Sequence, residues 1–241
     1  MCLLDSSLDD GQLRKVAAEN NLSATAFVVP VRGSYELRWF TPACEVRLCG
    51  HATIASAYVL FTRFQPELDS IVLHTKFHGA IRISRVRDLL CMSLPAIPPQ
   101  PCSSPNGLEL ALGLPSRPIA ALEANETYTL VLNEEEEVRS ARPDFTLLEK
   151  FHPHAVAITA PAKTSDFVCR YFAPTYGVPE DSVTGSLQCS LAPYWAKRLG
   201  RSQLHARQLS ERGGELWCEV EESRVLVKGK CALTMEAMLE F

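Results

Sequence analysis

One short pattern occurs twice in this chain of 241 residues. Residues 38–46 (RWFTPACEV) and 170–178 (RYFAPTYGV) both read R-[WY]-F-x-P-x-x-x-V, and each leads through a glycine, Gly50 or Gly185, into a helix-like stretch. The copies lie 132 positions apart, about half the chain length, which predicts a duplicated unit and two similar lobes that face each other. The alternative is two unrelated strand-to-helix turns. Unpaired N–H groups at two helix starts meeting in one cleft would form a binding site for a small acid.

Composition narrows the class of protein. Hydrophobic residues make up 46% and charged residues 22%, as is typical of a soluble globular protein of one large or two modest domains. The net charge of −4 argues against a nucleic-acid partner. No apolar run approaches the roughly 20 residues of a membrane helix, so no membrane partner is expected. The first residues, MCLLDSSLDDGQ, lack a signal peptide's basic and apolar segments, and we expect a cytoplasmic protein.

The cysteines are scattered through the chain. There are nine of them, an odd number, and none forms a CxxC pair. This spacing argues against a zinc site and against a disulfide scaffold. Free thiols in a reducing cytosol are therefore predicted at Cys2, Cys44, Cys49, Cys91, Cys102, Cys169, Cys189, Cys218 and Cys231.

The pattern of elements predicts an α+β fold, strand-rich in both halves, with one helix of small residues in each. The dinucleotide-binding and phosphate-loop fingerprints are absent from the sequence. We predict helices at 8–20, after residue 50, at 145–151 and from 184, the last kinked or broken at Pro193. The predicted strands are 25–30, 34–40, 70–77, 80–86, 89–95, 154–160, 166–172, 214–221, 224–230 and 232–241.

The Pro- and Ser-rich segment 96–106 predicts a linker between the lobes. We therefore expect an N-terminal lobe over 1–98 and a C-terminal lobe over 104–231, with the last strand, 232–241, returning to the N-terminal lobe. The four-glutamate run at 134–137 predicts a solvated turn.

Three clusters contain residues that could carry chemistry. His51 follows Gly50 at a helix start, where it could exchange a proton in a cleft, or could only cap the helix or fill a polar pocket. The second cluster, 180–186, holds acidic residues that could be ordinary helix caps. Pseudo-symmetry would instead bring Asp181 and Ser186 across the cleft from His51. The third cluster, 208–214, contains an Arg-Gly-Gly that could hold a carboxylate, or could be a β-turn before the next strand.

Three blocks resemble the hallmark blocks of the phenazine-biosynthesis PhzF-like isomerases. They are FTPACEVRLCGHATIASAYVLF, GVPEDSVTGSLQCSLAPYWAKRLG and QLSERGGEL. The resemblance extends from residue 2 to the end of the chain. It implies the fold of diaminopimelate epimerase and proline racemase, in which two pseudo-symmetric lobes each wrap a barrel-like sheet around a central helix, with the site between them.

The resemblance also implies an activity, a cofactor-independent proton shift on a small, cyclic carboxylic acid. A glutamate normally carries the proton while a His, an Asp and a Ser position the substrate, and these fall on His51, Asp181 and Ser186. Related racemases use two cysteines. Cys49 lies near the position of the first of these cysteines, but Val183 occupies the position of the second. This argues against a two-thiol mechanism. A homodimer is a further expectation, and the implied substrate-binding residues are Gly50, Ala52, Thr184, Gly185, Ser210, Arg212, Gly213 and Gly214.

Two departures from the family pattern stand out. The family's NLSET-x-F block reads NLSATAF here, so Ala24 stands where the proton-carrying glutamate should be. Losing a positioned acid–base group costs on the order of 10²–10⁴ in rate. Glu19 and Glu45 match ordinary family positions and are weak replacements. The family also has about twenty more N-terminal residues, with a first strand and a GNPAA-like turn, so the gene start could be misplaced, the form naturally short, or the strand supplied by a partner.

Three readings follow from these departures. The chain could be an isomerase with altered chemistry that uses His51 and Asp181. It could be a catalytically inactive relative that binds a small acid or a protein. It could also be a deliberate Glu-to-Ala variant, although the short N-terminus counts against this. The retained His51, Asp181, Ser186 and Arg212 favour a pocket that is still in use.

Overall fold

Fifteen strands join into one large mixed sheet in the computed structural model, which describes residues 1–238. The first half contributes β1 (Cys2–Leu3), β2 (Thr25–Val31), β3 (Ser34–Phe40), β4 (Glu45–Val46), β5 (Ser70–Thr75), β6 (Gly79–Val86) and β7 (Leu89–Pro95). The second contributes β8 (Gln100–Pro101), β9 (Ala120–Ala124), β10 (Thr127–Val131), β11 (Ala155–Pro161), β12 (Phe167–Phe172), β13 (Gln203–Gln208), β14 (Gly214–Val220) and β15 (Arg224–Gly229).

The two halves repeat one order of strand pairings. In the first, β1 is parallel to β2, β2 antiparallel to β3, β3 parallel to β5, and β5, β6 and β7 follow antiparallel. In the second, β10 is parallel to β11, β11 antiparallel to β12, β12 parallel to β13, and β13, β14 and β15 follow antiparallel. The last strands, β7 and β15, pair antiparallel and join the halves. A duplicated unit predicts such a repeat.

The helices are α1 (Asp10–Asn20), α2 (Gly50–Val59), α3 (Leu108–Ala111), α4 (Glu135–Ser140), α5 (Phe145–Leu148) and α6 (Gln188–Leu199). A π-helical turn at Leu60–Phe64 extends α2. Asp9 caps α1, because its carboxylate accepts from the Gln12 backbone N–H while the Gln12 side chain accepts from the Asp9 N–H. None of the helices within residues 1–238 is long and apolar enough to cross a membrane.

Small residues allow α2 to lie deep in the fold. The helix contacts β2 at one end of the first-half sheet and β7 at the other, so this half of the sheet curls around it. Ala52 and Ala57 are buried in the same core as Trp195 of α6, which packs against β13, β14 and β15. The two helices therefore pack into one core that both halves share.

The helix near residue 184 differs from the prediction. Regular α-helix begins at Gln188, four residues later, because a tight turn precedes it in which the Gln188 N–H donates to the Gly185 carbonyl at 3.1 Å. The break predicted at Pro193 is wrong, since α6 runs through it. Proline leaves the Cys189 carbonyl without its helical donor, and the N–H of Ile97 donates to that carbonyl at 2.8 Å instead.

Other predictions are confirmed or corrected in detail. The strands predicted between 25 and 95, 154 and 172, and 214 and 230 are confirmed, and all nine cysteines are free thiols.

The glutamate run is not a solvated turn: Glu134 caps α4, and the Glu137 carboxylate accepts from the Asn133 N–H at 2.7 Å. The linker segment contains β8. The sequence patterns did not predict β9, β10 and β13.

The C-terminal strand predicted at 232–241 is not formed within residues 232–238, and its last three residues lie outside the described part of the chain. This segment does reach the first half of the fold, where Glu236 Oε2 lies 3.4 Å from Arg63 Nη2.

Candidate functional site

Two glycines bring the halves into contact. A Cβ added to Gly50, the first residue of α2, would lie 2.9 Å from the Cα of Gly185, and one added to Gly185 would lie 3.3 Å from the Cα of Gly50. Such distances leave no room for a side chain on Gly50. The start of α2 and the turn that precedes α6 therefore meet backbone to backbone.

The spacing between the repeated arginine and the glycine differs between the two copies. The repeated arginines, Arg38 and Arg170, are 132 positions apart, but the paired glycines are 135 apart, so the second connection is three residues longer. Counted back from the glycines, Cys49 corresponds to Thr184. Neither Val183, predicted at the position of the second cysteine, nor Thr184 provides a second thiol.

A cavity of about 320 Å³ lies where the halves meet. Seven of the predicted site residues line it: Ala24, Gly50, His51, Asp181, Thr184, Gly185 and Ser186. The other predicted residues, Ala52, Ser210, Arg212, Gly213 and Gly214, lie outside its lining. Residues that the sequence did not single out also line it, among them Ser23, Arg47, His78, Asn125, Glu126, Tyr171 and Tyr176.

His51 is the centre of the polar contacts. Its Nδ1 lies 3.1 Å from the Val183 carbonyl oxygen and 3.5 Å from Asp181 Oδ1, both from the second half of the chain. Its Nε2 lies 3.3 Å from Ser23 Oγ, and the Cys49 sulfur lies 3.6 Å from the same nitrogen. The ring is 26% exposed, so it can meet a ligand.

The surroundings of His51 favour its protonated form. Burial by itself lowers the pKa of the imidazole, but contacts with Cys49, Asp181 and the Val183 carbonyl outweigh it and raise the pKa. Asp181 is only 7% exposed, and its Oδ1 has no hydrogen-bond donor among the described residues. This oxygen is therefore available to a protonated ring or to a ligand.

A buried glutamine holds the Asp181 segment in place. Gln208 Oε1 accepts from the Thr184 N–H at 2.7 Å, and Gln208 Nε2 donates to the Asp181 carbonyl at 2.7 Å. The Thr184 hydroxyl then donates to Asp181 Oδ2 at 2.6 Å. Gln208, at the end of β13, thus fixes the carboxylate indirectly through backbone and hydroxyl.

The predicted Arg-Gly-Gly cradle supports the site from outside the cavity. Ser210 Oγ donates to the Ser182 carbonyl at 2.7 Å and accepts from the Gly213 N–H at 3.1 Å. A Cβ on Gly214 would clash with Val183 Cγ2, so the glycine allows this turn to pack against the Asp181 loop. Arg212 is exposed to solvent. The segment does precede β14, and carboxylate binding by its Arg-Gly-Gly stays a prediction.

Neither Glu19 nor Glu45 is well placed to act for the glutamate that the family resemblance predicts at position 24. Glu45 lines the cavity, but Arg38 Nε and Lys76 Nζ lie 2.7 and 3.0 Å from its oxygens. The Arg38 hydrogen bond lowers the pKa of this carboxyl, which makes it a poor base. Glu19 does not line the cavity.

Some of the additional cavity residues have features by which they could have been found. Arg47 stands within the block around His51, is exposed, and makes no ion pair within residues 1–238. Asn125 and Glu126 form the tight turn between β9 and β10, with left-handed φ angles of 47° and 54°.

Within the described residues, no group of three or more His, Cys, Asp or Glu side chains is arranged to hold a metal ion.

Comparison with known proteins identifies the family. The family model for phenazine biosynthesis-like proteins, PhzC-PhzF, matches residues 1–237. An uncharacterized isomerase of Pseudomonas aeruginosa is 45% identical over 239 residues, which cover 99% of this chain and 91% of the relative.

Solved structures agree with this match. The phenazine biosynthesis protein of the PhzF family from Enterococcus faecalis has a TM-score of 0.87 and 38% identity, over 95% of this chain and 86% of that one. A predicted epimerase from Pseudomonas aeruginosa shares the fold, with a TM-score of 0.73 at 19% identity, over 98% and 92% of the two chains. The chain therefore belongs to the phenazine biosynthesis-like PhzF family of isomerases.

Proposed function

We propose that this protein is an isomerase that moves a proton between two carbon atoms of a small carboxylic acid, without a cofactor. One observation carries the proposal. His51, from the first half of the chain, faces the buried Asp181 of the second half at 3.5 Å, in a cavity of about 320 Å³. A group that can both give and take a proton thus stands at the contact between the halves.

Two features of the cavity favour a carboxylate substrate. The first N–H groups of α2 have no partner within the helix, and Gly50 and His51 of this turn line the cavity. The exposed Arg47 adds a positive charge at the same cavity. Arginine binds carboxylates through two parallel hydrogen bonds, so Arg47 is the proposed anchor of the acid.

The proton step uses His51 alone. Since its surroundings favour the protonated ring, the imidazolium first donates its proton to an electron-rich carbon of a conjugated substrate. The neutral ring then removes a proton from a second carbon, and the double bonds shift between the two positions. His51 ends in its starting state, and Asp181 Oδ1 stabilises the charged ring before and after the transfer.

A second candidate function is binding without catalysis. The observation that favours it is the methyl group of Ala24, which lines the cavity where the family's proton-carrying glutamate is expected. The protein would then hold a small acid through the same groups and leave it unchanged.

Proton exchange in D₂O separates the two functions. The protein is incubated with a panel of dihydro-aromatic acids and amino acids, and NMR follows the loss of C–H signals. We expect exchange that falls on the order of 10²-fold or more in His51→Ala. The matched control is His74→Ala, an exposed histidine of β5 outside the cavity, which should exchange at the original rate.

The variant Ala24→Glu completes the design. Exchange only in Ala24→Glu would overturn the isomerase proposal and support the binding function. Exchange by the unmodified chain that survives His51→Ala would contradict the role of His51, whatever the substrate.

A further inference from the structure

Ser23 lies on the side of the His51 ring opposite to Asp181. Its Oγ is 3.3 Å from Nε2, while Asp181 Oδ1 is 3.5 Å from Nδ1. Both Ser23 and His51 line the cavity, and Ser23 is half-buried in the loop before β2. A hydroxyl, an imidazole and a carboxylate thus stand in line, with the hydroxyl facing the space where a ligand would sit.

From this arrangement we propose an activity beyond the isomerase: Ser23, His51 and Asp181 act as nucleophile, base and orienting acid in the hydrolysis of small acyl esters. A serine hydroxyl is a weak nucleophile until a neighbouring base accepts its proton and a third group orients that base. The chain supplies all three groups from three separate segments.

The contacts of the ring determine which nitrogen is the base. The Val183 carbonyl can only accept, so in the neutral ring it selects the form with hydrogen on Nδ1. Nε2 then has a free electron pair, and the Ser23 hydroxyl is its donor. When Nε2 takes the proton, Asp181 Oδ1, buried and without another donor in the described chain, stabilises the positive ring.

Ala24 favours this chemistry as well. A carboxylate at position 24 would place a negative charge beside the oxygen of Ser23, where negative charge must develop during attack. The methyl group of Ala24 removes that repulsion. The unpaired N–H groups at the start of α2 are available to the carbonyl oxygen of the ester.

The reaction balances with water as the only co-reactant. Ser23 Oγ attacks the ester carbonyl while its proton passes to His51 Nε2. The carbon–oxygen bond to the alcohol breaks, the alcohol leaves with that proton, and an acyl-Ser23 remains. His51 then takes a proton from water, the hydroxide attacks the acyl group, and the carboxylic acid leaves as the proton returns to Ser23.

The rate should rise with pH, because only the neutral ring accepts the serine proton. Cys49, from the connection before α2, and Asp181, from the connection after β12, both favour the protonated ring. Other charged or titratable side chains that line the cavity are Glu45, Arg47, His78, Glu126, Tyr171 and Tyr176. Assays therefore extend from neutral to alkaline pH.

The test uses the full chain and p-nitrophenyl acetate, and follows nitrophenol release together with peptide mass spectrometry of the acetylated protein. We expect release that rises with pH and falls on the order of 10²-fold in both Ser23→Ala and His51→Ala. The acetyl group should be found on Ser23. The matched control is Ser84→Ala, a half-buried serine of β6 outside the cavity, which should retain full activity.

Three results would overturn the proposal. One is ester hydrolysis that survives Ser23→Ala but not His51→Ala, which would make the imidazole itself the nucleophile. Another is acetylation of Cys49 with loss of activity in Cys49→Ala but not in Ser23→Ala. The third is that the protein releases nitrophenol no faster than free imidazole does, although a cooperative thermal transition shows that it is folded.

Discussion

Gln208→Leu tests how the fold holds the Asp181 loop. Gln208 is 1% exposed, and its side chain forms hydrogen bonds with the Thr184 N–H, the Asp181 carbonyl and the Thr184 hydroxyl. Leucine has nearly the same volume, so no cavity forms, but the Thr184 N–H and the Asp181 carbonyl lose their partners. A buried polar group left unpaired costs about 1–3 kcal/mol. We therefore expect the free energy of unfolding to fall by about 2–6 kcal/mol.

Urea unfolding followed by tryptophan fluorescence measures this change. The dependence of the unfolding free energy on urea concentration should be the same for both proteins. The matched control is Gln203→Leu, an exposed glutamine of the same strand whose contact with Glu219 is 3.4 Å, and it should change stability by less than about 0.5 kcal/mol. A loss below about 1 kcal/mol in Gln208→Leu would refute the reasoning, because it would show that water or a rearranged loop satisfies both groups.

Other substitutions test the glycine contact, the acid anchor and the repeated arginines. Gly50→Ala should cost about 1–3 kcal/mol in urea unfolding, because its Cβ meets the Gly185 backbone at 2.9 Å, whereas a Cβ on Gly229 meets nothing within 4 Å and Gly229→Ala should be nearly neutral. Arg47→Gln should raise the substrate KM on the order of 10-fold with little change in kcat, and an unchanged KM would exclude Arg47 as the anchor. Arg170→Met should cost about 3–5 kcal/mol, because its side chain is 11% exposed and binds Glu180 at 2.7 Å. Arg38→Met, at 21% exposure, should cost less, and equal losses would contradict the burial argument.

Much of the fold follows from local patterns. The alternation in 34–40 and the strand-like run at 89–95 predicted strands whose bounds match β3 and β7. The patterns failed where tertiary contacts decide: α6 continues through Pro193 only because the Ile97 N–H from the linker satisfies the freed carbonyl of Cys189. A rule that considers only neighbouring residues cannot include a hydrogen-bond partner about ninety residues away.

The site shows the same division. His51, Asp181 and Ser186 follow from the repeat and the family blocks, and all three line the cavity. Gln208 and Ser23 could not be assigned from sequence, because each acts through hydrogen bonds to residues of distant segments. Arg212 is exposed and outside the cavity lining, so carboxylate binding by this residue stays a prediction.

By itself, the sequence determined the duplication, the α+β class, the family and the glycine before each helix start, because these depend on short motifs and on periods of hydrophobic residues. Only the tertiary structure decided how the copies meet. The backbones of Gly50 and Gly185 come into contact. Asp181 and Ser23 lie beside different ring nitrogens of His51. These relations are distances between segments far apart in the chain, and such distances arise only when the core packs.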